Sequence, residues 1–259
     1  MTLTFYKYQG TGNDFVIIDN RQLIFDKNDT KRIKHLCDRR FGIGADGLIL
    51  LENHDTLDFK MVYFNADGNE SSMCGNGGRC IVAFANFLGL IDKQTSFMAI
   101  DGEHQAVIEN GIVRLHMQDV NNIEKHENHV FLNTGSPHHV ELNNNLQELN
   151  IKSLGSKIRY GSPYFEAGSN VNFVSKLSND NFSVRTYERG VEDETLSCGT
   201  GVTAVALAMH TIGETTTNDI TLQTPGGELK VSFKQSGKGY TDIWLQGPAI
   251  QVFKGEISW

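Results

Sequence analysis

Two cysteines of this chain stand in matching settings. Cys74 opens "CGNGG" and Cys198 opens "CGTG", and an apolar run of helical length follows each. A cysteine just ahead of a helix meets backbone N–H groups that have no intrahelical acceptor, at the positive end of the helix dipole. Such a place seats a carboxylate and stabilises a thiolate, bringing the thiol below its free pKa of about 8.5. Two loops of this kind acting on one molecule would hold its carboxylate from both sides, with a sulfur on each face of the adjacent carbon. That chemistry inverts a stereocentre. One sulfur, as thiolate, removes the α-proton; the other, as thiol, returns a proton from the opposite face, and the roles exchange with direction. The competing reading of a single cysteine is a small buried hydrophobe, which we assign to Cys37 and Cys80. Cys80 follows Cys74 by six residues with no second pair nearby, so neither a CxxC redox motif nor a zinc set is indicated and no metal is expected. "FGIGADG" (41–47) lacks the Lys-Ser/Thr of a phosphate loop and reads as a turn.

The elements that must position these thiols repeat. With Cys74 aligned on Cys198, Tyr63 meets Tyr187, Glu70 meets Glu194, and Gly75 and Gly77 meet Gly199 and Gly201 without a gap. Downstream, 96–118 and 219–247 both alternate apolar and polar residues around Gly-Glu turns, the mark of successive hairpin strands. The period far exceeds that of a solenoid and predicts two related halves. Strands are expected at 15–20, 47–52 and 58–65, and a helix from Thr30, as N-cap, to Arg39, with Ile33, Leu36 and Cys37 on its inner face. The segment 121–150 is rich in Asn, Glu and His and reads as a crossover with surface loops. The expected domains are 1–120, carrying Cys74, with the last strand near 248–259 returning to it, and 121–247, carrying Cys198. The fold class is α/β (α+β): two pseudo-symmetric halves, each a mostly antiparallel sheet against a helix.

Composition narrows the function classes. The 259 residues carry a net charge of −8, with 39% hydrophobic and 21% charged residues, which reads as soluble and globular. That balance argues against nucleic acid, which requires a basic footprint. Ile81 to Ile91, the longest largely apolar stretch, is too short to span a bilayer. The N-terminus lacks a basic segment followed by a long apolar run, and four cysteines are no disulfide framework. A cytoplasmic chain with reduced thiols, acting on a small molecule away from membranes, is the expectation.

The segments "GTGNDFVIID", "RRFGIGADG", "YFNADGNESSMCGNGGRC", "SPHHV", "SNVNFV" and "YERGVEDETLSCGTG", in this order, resemble the diaminopimelate epimerase family, and "GPAIQVFKGEI" fits its end. The resemblance covers nearly the whole chain. It implies two domains, each with its sheet curled around a central helix, and an active site in the cleft between them. It further implies a homodimer and a cofactor-independent, two-base epimerase that interconverts LL- and meso-diaminopimelate for lysine and peptidoglycan precursors. Carried over, Cys74 and Cys198 are the acid/base thiols. Gly75-Asn76 and Gly199-Thr200 hold the reacting carboxylate through main-chain N–H groups. Asn13, Asn65, Asn170, Glu188 and Arg189 bind substrate, and His138 and Glu188 tune the thiols. Two departures stand out: Gly47, where some members have Gln, and Ser136, where others have Asn.

Apart from the resemblance, each of these residues has an ordinary role. Asn13 and Asn65 would be turn residues, Glu188-Arg189 a solvated pair, and His138 an exposed loop histidine. Proline- and hydroxyproline-type racemases of the same fold are rivals, but they carry His where this chain has Asn76. Phenazine-biosynthesis-like isomerases lack the cysteine pair. A carboxylate-binding sensor with a redox-active Cys74–Cys198 pair is the rival from another class, and it predicts binding without turnover.

Overall fold

The computed structural model describes residues 2–258. The chain divides into two units, Met1–Leu115 with Gly247–Trp259, and His116–Gln246. The first contains β1 (Thr2–Gly10), β2 (Asn13–Asp19), α1 (Thr30–Cys37), β3 (Gly47–Glu52), β4 (Phe59–Asn65), α2 (Gly75–Phe87), β5 (Gln94–Ala99), β6 (Gly102–Glu109) and β7 (Ile112–Met117), which runs across the boundary. The second contains β8 (Ile123–Lys125), β9 (Val130–Asn133), β10 (Pro137–Leu142), α3 (Ile151–Tyr160), β11 (Asn170–Lys176), β12 (Asn181–Glu188), β13 (Asp193–Thr195), α4 (Gly199–Thr211), β14 (Asp219–Thr224) and β15 (Gly227–Ser236). It ends in β16 (Gly239–Pro248), and β17 (Ile250–Ser258) belongs to the first unit.

The first sheet has the order β17-β1-β2-β3-β4-β5-β6-β7, antiparallel except at β2/β3 and β4/β5. The second has the order β8-β9-β10-β11-β12-β14-β15-β16, antiparallel except at β10/β11 and β12/β14. The succession of pairings is the same in both. A parallel pair needs a long crossover, and a helix supplies each one: α1 and α2 in the first unit, α3 and α4 in the second. The short β13 pairs with the end of β12, where the first unit has only the Phe64–Glu70 bridge.

The polar stretch from 121 is thus not mainly loop; it holds β8, β9 and β10. These strands are short, and several of their residues face solvent, which lowers the apolar content without preventing strand pairing. The unit boundary accordingly lies at Leu115, ahead of the composition change near 120.

The helices are of two kinds. In α4 every residue from Gly201 to Met209 is buried, as expected of a helix enclosed on all sides. It packs on strands β9 to β12 and on β14 and β15. In the same way α2 is enclosed by β1, β2, β3, β6 and β17. The outer helices are one-sided. Ile33, Leu36 and Cys37 of α1 pack with Val16, Ile18, Leu48 and Leu50, and Ile151 of α3 packs with Val171, Phe173 and Tyr187. Burying each such side chain stabilises by about 1.5–3 kcal/mol. Asp29, not Thr30, caps α1, its carboxylate accepting from Arg32 N at 3.0 Å, and the helix stops at Cys37 rather than Arg39. Among the described residues no helix is long and apolar enough to cross a membrane.

Candidate active site

The first unit's seat is built at the start of α2. Cys74 is the N-cap, with extended backbone (φ −98°, ψ 145°), and its Sγ accepts from Gly77 N at 3.2 Å. The glycines that follow place main-chain N–H groups on the first turn, where the helix provides no carbonyl for them. Asn76 Nδ2 donates to Asn13 Oδ1, and Asn13 Nδ2 donates to Asp46 Oδ2 at 3.0 Å. Arg39 grips both Asp46 (2.7 Å) and Asp14 (2.6 Å), and Lys7 reaches Asp14 at 2.7 Å. Burial pushes the Asp14 carboxyl up, but bonds from Arg39 and Lys7 outweigh it and hold the group at about 2. Asn13 is thereby aimed by a charged network rooted in β1, β2 and the 41–47 turn.

Arg79, which the motif reading passed over, lies fully buried one turn behind this seat. Its Nη2 donates to Asn76 Oδ1 and Thr11 Oγ1, both at 3.0 Å, and its Nη1 donates to Gly75 O at 3.1 Å. All these partners are neutral oxygens, and among the described residues no carboxylate pairs with it. Burial lowers the guanidinium to about 10, and the sulfurs of Cys80 and Cys74 oppose that shift. Its spacing marks it: Arg79, at i+4 from Gly75, lies beneath it on the helix. Cys80 is fully buried and Cys37 nearly so; burial pushes the Cys37 thiol up to about 12 and that of Cys80 higher still. Both are core residues.

The second unit's seat starts α4. Cys198 is the N-cap, and its Sγ lies 3.4 Å from Thr200 Oγ1. Thr200 Oγ1 is 3.0 Å from Nε2 of His138, and Thr134 Oγ1 fixes the Thr200 carbonyl at 2.8 Å. His138 is completely buried on β10; burial, with Arg189 as a further cause, brings it down to about 3, so it is neutral. It is no exposed loop histidine. Asn170 is 3% exposed, and its amide is engaged by the protein on three sides. Nδ2 donates to Ser136 Oγ (2.8 Å) and to Pro137 O (3.1 Å), while Oδ1 accepts from Arg189 N (2.9 Å). Arg189 Nη1 in turn donates to Ala167 O at 2.8 Å.

Asn13 is thus hydrogen-bonded to Asn76, which Arg79 links to Gly75, in the turn that Cys74 opens. Cys198, Thr200 and His138 form a second hydrogen-bonded chain, with Gly199 held by Thr203. Asn170 and Arg189 are tied to each other. Asn65 and Glu188 close β4 and β12, the strands that lead to the two cysteines. At Gly47 a Cβ would lie 2.5 Å from Tyr63 Cε2 and from Phe64 O, so the ring of Tyr63 fills the space of a longer side chain. Ser136 places its hydroxyl on Asn170. Among the described residues no cluster of three or more His, Cys, Asp or Glu side chains has a metal-binding arrangement.

In fold the chain falls in the class of two-repeat α/β proteins represented by a phenazine biosynthesis protein of the PhzF family from Bacillus anthracis. That likeness has a TM-score of 0.80 at 13% identity and covers 100% of both chains. A hydroxyproline epimerase from Agrobacterium vitis shares the fold at TM-score 0.68 and 13% identity, over 99% of this chain and 92% of the other. Sequence comparison narrows the class. Residues 5–123 and 130–251 match the family described as diaminopimelate epimerase, and the chain belongs to that family. A protein named diaminopimelate epimerase from Flavobacterium psychrophilum is 60% identical over 97% of this chain and 99% of its own. One of the same name from Chlorobaculum tepidum is 43% identical over 96% and 99%.

Proposed function

We propose that the chain is a diaminopimelate epimerase, interconverting the LL and meso forms of 2,6-diaminopimelate without a cofactor, in the supply of lysine and peptidoglycan precursors. The observation that carries this reading is the cysteine N-cap at the start of the enclosed helix in each repeat, in a chain 60% identical to a relative of that name. Two-base inversion requires the substrate's reacting carboxylate to be within reach of both seats, the N–H groups of Gly75-Asn76 and those of Gly199-Thr200. One thiolate takes the α-proton and becomes a thiol; the electron pair left on carbon is delocalised into the carboxylate. The opposite thiol then gives its proton to the other face and becomes the thiolate. Asn13, Asn65, Glu188 and Arg189 address the substrate's ammonium and carboxylate groups. Asn170 contributes through the Arg189 backbone that it anchors, and His138 and Glu188 tune the thiols.

We also read the protein as a cytoplasmic homodimer. Strand β17, an edge of the first sheet, supports the second part: Ile250, Val252 and Phe253 are 51%, 54% and 45% exposed there. The test of the activity is deuterium uptake at the α-carbon of diaminopimelate in heavy water by the reduced protein. Uptake is expected. Exchange of proline instead, or binding without exchange, overturns the assignment.

A further inference from the structure

Behind Thr200 and His138 stands a residue to which no role has been given. Asn172 lies on β11 and is completely buried. Its Nδ2 is 3.1 Å from Nδ1 of His138 and 3.2 Å from the carbonyl oxygen of His139. Its Oδ1 accepts from the Thr186 hydroxyl at 3.0 Å. These partners leave one orientation of the amide: turned over, it would set Oδ1 against the His139 carbonyl, two acceptors facing each other. The amide nitrogen therefore donates to Nδ1, and Nδ1 carries no proton.

The consequence runs along the ring. A neutral imidazole has one N–H, so the proton of His138 is on Nε2, which donates to Thr200 Oγ1. The Thr200 hydroxyl then keeps its own hydrogen to give, and Cys198 Sγ lies within reach at 3.4 Å. The other tautomer reverses this. Nε2 would be an acceptor, Thr200 would spend its hydrogen on the histidine, and only lone pairs would face the sulfur.

We propose that Asn172 is a positioning residue: by fixing His138 as the Nε2–H tautomer, it turns the Thr200 hydroxyl into a hydrogen-bond donor to the sulfur of Cys198. The relay stabilises the thiolate of Cys198 and leaves its thiol form without that benefit. It lies wholly within the second unit and differs from the device at Cys74, whose sulfur accepts from a main-chain N–H. Its catalytic meaning rests on the two-thiol reading above, but its geometry does not.

The experiment therefore needs no substrate. Alkylation of Cys198 by iodoacetamide at pH 7 is followed on its own peptide by mass spectrometry, in the full chain and in Thr200→Val, Thr200→Ser and Asn172→Ala variants. Losing a hydrogen bond to a charged acceptor lowers the thiolate fraction about tenfold, and the more basic sulfur regains part of that, so alkylation should slow roughly three- to fourfold. Thr200→Ser should restore the wild-type rate, and Asn172→Ala should match Thr200→Val. Long-range proton–nitrogen correlation spectra of the wild-type protein should show His138 protonated at Nε2, with Asn172→Ala admitting the Nδ1–H form. An Nδ1–H histidine in the wild type, or unchanged Cys198 alkylation in both Thr200→Val and Asn172→Ala, overturns the relay. Failure of deuterium exchange alone would count against the proposed activity and leave the relay standing.

Discussion

Arg79 and Thr203 hold the same place in the two repeats, five residues after the helix-start cysteine. Each donates to the carbonyl of the residue that follows that cysteine: Arg79 Nη1 to Gly75 O at 3.1 Å, Thr203 Oγ1 to Gly199 O at 2.9 Å. One backbone position is thus braced in both repeats, by a buried cation in one and by a neutral hydroxyl in the other. The repeats match in topology and differ in electrostatics.

That difference predicts unequal sensitivity. With no carboxylate paired to Arg79, its charge is available to an anion at the α2 seat. Arg79→Met should lower kcat/KM for diaminopimelate by about 10²-fold, the scale seen when one preorganised donor is removed from a reacting site. Thr203→Val should cost less than about tenfold, in line with one neutral hydrogen bond. Steady-state kinetics on the two variants decides; equal losses would show that Arg79 acts only as a brace.

Changing either thiol separates binding from turnover. Cys74→Ala and Cys198→Ala should each lower epimerisation by at least about 10³-fold, near the upper range of acid–base contributions. Carboxylate binding, which the first-turn N–H groups provide, should persist within a few-fold. Calorimetric titration with diaminopimelate alongside the epimerisation assay tests both halves, and near-normal turnover in either variant contradicts two-base transfer.

Crowding around the two first-turn glycines is also unequal. At Gly201 a Cβ would meet Asn172 Oδ1 at 2.6 Å and Cys198 Sγ at 3.3 Å. At Gly77 the nearest atoms are Cys74 Sγ at 3.3 Å and Ile49 Cδ1 and Met61 Cε at 3.4 Å. Gly201→Ala must displace a fully bonded amide and should destabilise by about 1–3 kcal/mol, more than Gly77→Ala. Urea unfolding of the two variants measures the difference, and the reverse order would be incompatible with this packing.

Stability should fall in mild acid. His138 titrates at 6.5 when unfolded and, pushed down by burial, at about 3 when folded. Between those values the unfolded chain binds the extra proton, so stability is full above 6.5 and is lost as pH falls toward 3. Burial lowers His129 to about 4 and adds to the same window. The Asp14 contribution is lost only lower, between 3.8 and about 2. The urea midpoint should drop from pH 6.5 to pH 4, with a shallower slope in His138→Asn; identical slopes would remove His138 as the cause.

Much of the architecture could be read from residues alone, because glycines and cysteines bound to one place on a helix keep the repeats in register. Cys74 and Cys198, or Tyr63 and Tyr187, align without knowledge of a fold. The strands from 123 to 142 could not be recovered in this way, since their exposed positions are polar and mimic loop. Arg79, Thr186 and Asn172 were invisible for another reason. Their roles depend on partners from other segments, such as Thr11 for Arg79 and His138 for Asn172, and no local pattern marks such pairs. Asn170 is expected from the motif as a ligand to substrate, but that its side chain also ties Ser136, Pro137 and Arg189 together could not be read locally.

The placement of β17 sets an order of assembly. Every strand of the second sheet lies in one uninterrupted stretch of chain, whereas the first sheet begins at residue 2 and receives its edge strand only at 250–258. During synthesis the later repeat has all its strands before the earlier one does. Until β17 emerges, β1 has an uncovered edge and α2 lacks one of its walls, and a chaperone or a stray strand would find its opening there.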